Sequence, residues 1–174
     1  REPHWRAAIN PMGEVPVLQD GERKLSQSGA ILVWLARKTG LFGGADEDQQ
    51  FEALRWILFD NHKFTSPFAT MRYMKSFAPN PPDPAVMGFL RSRLETAWAI
   101  VEQQLAAQPY LCGAEPTIAD FSLSGYLFYP EKESGWPIAP RFPAIAAWLD
   151  RLRAIDGWVA PYDLLPGTII EPQW

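Results

Sequence analysis

The chain has little of what builds metal or disulfide frameworks. Cys112 is its single cysteine, so an internal disulfide and a four-cysteine zinc site are both excluded. Its two histidines, His4 and His62, stand far apart with no third ligand at metal spacing beside either, and no metal is expected. No apolar run is long enough to cross a bilayer, so no membrane partner is expected. Positive charge is also in short supply. The 16 Lys and Arg are outnumbered by 20 Asp and Glu, for a net charge of -4, which offers no electrostatic reason to bind nucleic acid or anionic lipid. One unpaired thiol fits a reducing compartment, and a cytoplasmic location is the expectation. Internal repeats and low-complexity tracts are absent, so the architecture must be read from local patterns.

Turn and cap signals divide the chain. Asn10-Pro11-Met12-Gly13 is a strong turn sequence. Glu14 to Leu18 reads as a short strand with Pro16 in it, and Asp20-Gly21 is the best hairpin turn. A helix follows with Ile31, Trp34 and Leu35 on one face and Gly40 just past its end. Residues 41–47 read as a linker. Asp46 or Asp48 can cap the next helix, which is apolar on two sides: Phe51, Leu54 and Leu58 on one, Trp56 and Phe59 on the other. Such a helix is expected to be buried between neighbours and to run to about Phe77, bent or interrupted at Pro67. An amphipathic helix is expected over 85–107, a strongly apolar one over 117–128 and a third over 142–155, before a coil tail. The division expected is 1–40, a partial α/β domain; 41–47, a linker; 48–157, an all-α bundle; and 158–174, a tail.

Three constellations could carry function. Pro16 at a strand start is either an edge-strand proline or a cis-proline that turns the backbone polar groups of Val15 outward, where an extended peptide could pair with them. Ser26-Gln27-Ser28 lies at a helix mouth, where free amides and the helix dipole favour an anion; the plainer reading is that a serine is the N-cap. Thr117-Ile118-Ala119-Asp120 is a capping box with a structural role, worth about 1–2 kcal/mol as a cap. Cys112, without a CxxC partner, reads as an inert thiol. Arg72, Tyr73 and Lys75 read as a solvated face or the rim of a pocket.

Together, Asn10-Pro11-Met12-Gly13-Glu14-Val15-Pro16-Val17-Leu18, Leu25-Ser26-Gln27-Ser28-Gly29-Ala30-Ile31, Trp34-Leu35-Ala36 and Tyr110-Leu111-Cys112-Gly113-Ala114-Glu115-Pro116-Thr117-Ile118-Ala119-Asp120 resemble the cytosolic glutathione transferase superfamily in order and separation. The resemblance covers about 155 residues. It implies an all-α C-terminal bundle preceded by a partial thioredoxin-like domain. It also implies glutathione as co-substrate, a hydrophobic electrophile as acceptor and a homodimer. In such proteins the residue before a cis-proline pairs with the cysteinyl part of glutathione, which here implies Val15, with Pro16 as the cis residue. An acidic or amide residue followed by Ser holds the γ-glutamyl end, which implies Gln27 and Ser28. His4 or Arg6 could hold the glycyl carboxylate. Asn61, Phe64, Pro67 and Phe68 are expected to form the wall of the second-substrate site. Nothing in the sequence matches the family's thiol-activating Tyr, Ser or Cys, so no catalytic residue is assigned. The chain opens at Arg1, without methionine, and short of the family's leading strand-helix-strand; a processed, cut or partial chain is the expectation. A non-catalytic relative that binds a ligand or partner is the alternative reading.

Overall fold

The computed structural model describes residues 3–174. A short helix, α1 (Pro3–Ala8), precedes an antiparallel hairpin of β1 (Val17–Asp20) and β2 (Arg23–Ser26). No sequence pattern announces α1, because none of its residues is buried and it carries no apolar stripe. It is tied to the hairpin where Lys24 Nζ donates to the Ala8 carbonyl at 2.7 Å. The hairpin turns at Gly21-Glu22, with Gly21 at φ 59°. Pro16 lies just ahead of β1 rather than inside it, so its missing N–H removes nothing from the ladder. The pairing runs from Val17 opposite Ser26 to Asp20 opposite Arg23.

From there the chain is helical. α2 (Ser28–Thr39) packs on β2 and ends at Gly40, whose left-handed conformation lets its N–H bond the Ala36 carbonyl at 2.8 Å. α3 (Glu47–Phe59) starts at Asp46, which accepts from the Gln49 amide at 2.8 Å. The helix does not break at Pro67. A π-helical turn occupies Asp60–Phe64, and α4 (Thr65–Ser76) resumes beyond it with Pro67 in its first turn. Proline collides with the carbonyl four residues before it, here Lys63, and the wider turn just upstream displaces that carbonyl. α5 (Pro84–Ala107) is capped by Asp83. α6 (Ile118–Ser124) tightens into a 3-10 turn over Gly125–Phe128, so the helix expected over 117–128 changes type near its end. α7 (Glu131–Ser134) is a single turn that the sequence reading left out, α8 (Pro143–Arg153) is the last long helix, and one more turn, α9 (Pro161–Leu164), interrupts the expected coil tail.

The core forms where α3 to α6 and α8 meet. Trp98 on α5 is fully buried and touches four rings: Phe64 at 5.6 Å, Phe68 at 5.8 Å, Trp136 at 5.9 Å and Phe142 at 5.1 Å. Only one side of α3 joins this core. Ala53, Trp56 and Ile57 are buried, while Phe51 and Leu58 are each 62% exposed and Leu54 is also bare. The expectation of a helix buried on both sides is therefore corrected. The bundle covers one apolar face of α3 and leaves the other, beside α2, uncovered.

The capping box is present and does more than cap. Asp120 Oδ2 accepts from the Thr117 amide at 2.8 Å, and Oδ1 accepts from the Leu111 amide and from the Trp148 indole, each at 2.9 Å. One buried carboxylate thus joins the start of α6, the preceding loop and α8. Burial raises its pKa, against the pull of those hydrogen bonds.

Candidate glutathione site

Hairpin register builds the site. Because Val17 pairs with Ser26, the residues just before β1 and just after β2 lie side by side. Val15 and Pro16 therefore face the turn into α2. The Val15–Pro16 peptide bond is cis. Val15 is 66% exposed and stands outside the ladder, and its N–H and C=O have no partner among the described residues.

On the other side of the turn, neither serine is the N-cap. Gln27 holds that place, at φ 70°, with no side-chain capping bond. The first helical hydrogen bond runs from the Ile31 amide to the Gln27 carbonyl at 3.0 Å. The amides of residues 28–30 thus precede the helical ladder, and the Ser28 hydroxyl, exposed in the first turn, has no partner among the described residues. Amides, a hydroxyl and the positive end of a twelve-residue helix dipole suit a carboxylate.

The loop opposite is held from below. Asn10 is buried, accepts from the Met12 amide at 3.1 Å and donates to the Glu14 carbonyl at 2.9 Å. Glu14 in turn accepts from the Gln27 side chain at 2.9 Å, which ties the two halves of the site together. Arg6 donates to the Pro11 and Met12 carbonyls at 3.2 and 3.1 Å. It thereby braces the loop, in a place that differs from the carboxylate-binding role considered for it. Gly13 has φ +71°, and a Cβ there would strike the Arg6 guanidinium, so the loop and its brace fit only with glycine. His4 is exposed on α1.

The second-substrate wall is corrected. Phe64, Pro67 and Phe68 are buried around Trp98, away from Val15 and Ser28, and Phe68 borders a separate cavity with Tyr126 and Trp136. Asn61 remains. It comes close to Gly29, where a Cβ would lie 2.6 Å from Ile57 Cγ2 and 3.4 Å from Asn61 Nδ2. Gly29 lets α3 approach the mouth of α2. From Gln27 and Asn61 a groove of about 430 Å³ runs between α2 and α3 over Trp34, Leu54 and Leu58. Arg72 does not lie on a solvated face: it is largely buried and pairs at 2.5 Å with Glu133, which is fully buried. Cys112 is half-buried, and burial pushes its thiol up to about 11, consistent with an inert side chain. Glu14, Asn10 and Gly29 were missed as site residues, although all three lie in the stretches that carry the resemblance.

Among the described residues no group of His, Cys, Asp and Glu could hold a metal ion, and no helix is long and apolar enough to cross a membrane. The chain is 27% identical over 165 residues to glutathione S-transferase F14 of Arabidopsis thaliana, covering 88% of this chain and 64% of that protein. It thus spans less than two thirds of that relative. A glutathione S-transferase structure from Xanthobacter autotrophicus superposes with TM-score 0.81 at 30% identity, over 92% of this chain and 78% of that one. One from Pseudomonas fluorescens gives TM-score 0.78 at 29% identity, over 91% and 78%. Residues 1–37 match the glutathione S-transferase N-terminal domain and residues 34–151 the C-terminal domain; with its hairpin, cis-proline and helical bundle in the corresponding order, the chain belongs to the glutathione S-transferase family.

Proposed function

We propose that the chain is a glutathione transferase working in the cytoplasm. Residues 1–40 hold glutathione, and the helical domain over 48–157 presents a hydrophobic electrophile. The observation that supports this most is the adjacency set by the hairpin register, which puts the free backbone pair of Val15 beside the free amides and hydroxyl of Ser28. An extended γ-glutamyl peptide matches both ends of that arrangement. Its cysteinyl amide pairs with Val15 as one more strand would. Its γ-glutamyl carboxylate meets Ser28 and the α2 amides, with the Gln27 side chain beside it. His4 is proposed for the glycyl carboxylate. In the reaction the glutathione sulfur, as thiolate, forms a C–S bond to the electrophile, and the leaving group departs with the bonding electron pair. The thiol proton goes to solvent beforehand, and the lower the thiol pKa in the site, the larger the reactive fraction.

Glutathione calorimetry tests the assignment. Ser28→Ala should weaken binding roughly tenfold or more, the effect of losing one charge-assisted hydrogen bond. Binding that is unchanged by S28A would remove Ser28 from the site. Tight binding with no conjugation of a chlorinated nitrobenzene would make the chain a non-catalytic binder instead.

A further inference from the structure

Of the four methionines, only Met12 is exposed. It is 56% accessible, whereas Met71 is buried and Met74 and Met87 are half-buried. Its backbone is fixed on both sides: the amide donates to the Asn10 side chain at 3.1 Å, and the carbonyl accepts from Arg6 at 3.1 Å. The side chain reaches across to the turn into α2. There its sulfur accepts from the Gln27 side-chain amide at 3.3 Å and from the Ser26 hydroxyl at 3.8 Å, both at the surface.

The Gln27 amide nitrogen thus serves two acceptors, the Glu14 carboxylate at 2.9 Å and the Met12 sulfur at 3.3 Å. The two are unequal. A carboxylate holds an N–H strongly, and a thioether holds it weakly. The bond to sulfur is therefore the one that Gln27 gives up when a ligand carboxylate arrives beside Ser28. That release is easy only while the sulfur is a thioether. In a sulfoxide the sulfur carries a polar oxygen, and that oxygen accepts about as well as an amide carbonyl. Placed between Gln27 and Ser26, it keeps their donors turned to the loop and away from the ligand.

We propose that Met12 is a redox modification site, where a hydroperoxide converts the thioether to the sulfoxide and so lowers the affinity for glutathione. In that step the O–O bond breaks and one oxygen bonds to sulfur. The proton of the transferred oxygen passes to the departing one. Sulfur is oxidised by two electrons, and the hydroperoxide is reduced to an alcohol, or to water where it is hydrogen peroxide. Exposure selects Met12 over the other three methionines, and enzymatic reduction of the sulfoxide makes the change reversible. The consequence for binding rests on the glutathione reading; the choice of Met12 does not.

The purified chain is titrated with hydrogen peroxide, then treated with dithiothreitol to reverse sulfenic acid or disulfide formation at Cys112, and mapped by peptide mass spectrometry. Met12 should take up oxygen ahead of Met71, Met74 and Met87. Glutathione calorimetry on the desalted protein should show affinity lowered roughly tenfold by the oxidation, the effect of one hydrogen bond withheld. Methionine sulfoxide reductases for both sulfoxide epimers should restore it. Met12→Leu should have the same affinity before and after peroxide. Met12→Gln, which sets a carbonyl acceptor near the place of the sulfoxide oxygen, should bind roughly tenfold more weakly than Met12→Leu without any oxidant. Earlier oxidation of another methionine would overturn the proposal, as would a loss on peroxide that is equally large in Met12→Leu. Native protein that binds glutathione equally well with Met12 fully oxidised would overturn it alone. Unoxidised native protein that binds no glutathione would overturn the glutathione reading, and the switch with it.

Discussion

Asp120 shows how much a single side chain can hold. A capping box alone predicts about 1–2 kcal/mol for its removal. The structure adds the Leu111 amide and the Trp148 indole to its donors, all buried. Asp120→Ala would strand four donors at once, the Thr117 hydroxyl among them, and each stranded donor costs about 1–3 kcal/mol before relaxation. The expected loss in unfolding free energy is therefore about 3–5 kcal/mol, measured as a shift of the urea midpoint. A loss no larger than that of an exposed cap would show that the Leu111 and Trp148 bonds carry little. At the site, Gly13 and Gly29 have the same standing: one leaves room for Arg6, the other for Ile57, and neither tolerates a methyl group without movement.

Among the helices, the π-helical turn between α3 and α4 sets the path of the bundle. Asp60 pins it. Its carboxylate accepts from Ser122 Oγ on α6 at 2.6 Å and from the Thr65 amide at 3.2 Å, with the Thr65 hydroxyl also bonded. Burial outweighs these bonds and pushes Asp60 up to about 6, from an ordinary 3.8. A folded-state pKa above the unfolded one means that the folded chain binds the extra proton between these values. The resulting stabilisation is fully present below about pH 3.8 and is lost as pH rises through about 6. Relative to Asp60→Asn, the native chain should lose roughly 2–3 kcal/mol between pH 4 and pH 7.5. Parallel pH profiles for the two proteins, followed by urea denaturation, would refute this.

What the sequence disclosed about these elements follows the range of the forces involved. The hairpin, the Gly40 end of α2 and the capping box depend on neighbours within a few residues, and each was legible, whereas the neighbours of Pro16 left its isomer open and the cis bond was expected from the resemblance. The π turn was not, because it depends on Asp60 meeting Ser122, sixty-two positions away in the chain. Nor does periodicity tell which of two apolar faces of α3 meets the bundle. Phe64 and Phe68, expected from the resemblance on a substrate wall, pack against Trp98 instead. Within the site, the residues that would touch a ligand were expected from the resemblance, whereas the supporting roles of Glu14 and Gly29, in the same stretches, depend on contacts with Gln27 and Ile57 across the fold.

For the molecule as a whole, the uncovered face of α3 is the main unsettled account. Phe51, Leu54 and Leu58 stand beside Val33 and Trp34 of α2, with Arg37 at the edge. Exposed apolar surface on this scale marks an association site, and we propose that a second copy of the chain covers it in a homodimer. Sedimentation at tens of micromolar should show a dimer for the native chain and a monomer for the Phe51→Glu, Leu58→Glu double variant. A native chain that sediments only as a monomer would end the proposal.

The segment between α2 and α3 has a further consequence. The Phe42 carbonyl accepts from the Ile118 amide at 2.9 Å, and the Phe42 ring packs edge-on against Phe121 at 4.8 Å. The connection is therefore stitched sideways into the first turn of α6, next to the capping box. A cut in the backbone between residues 43 and 46 would leave the hairpin half still fastened to the bundle through this seam. The peptide link in that stretch is a leash, and Phe42 is the button that keeps the two halves closed on each other.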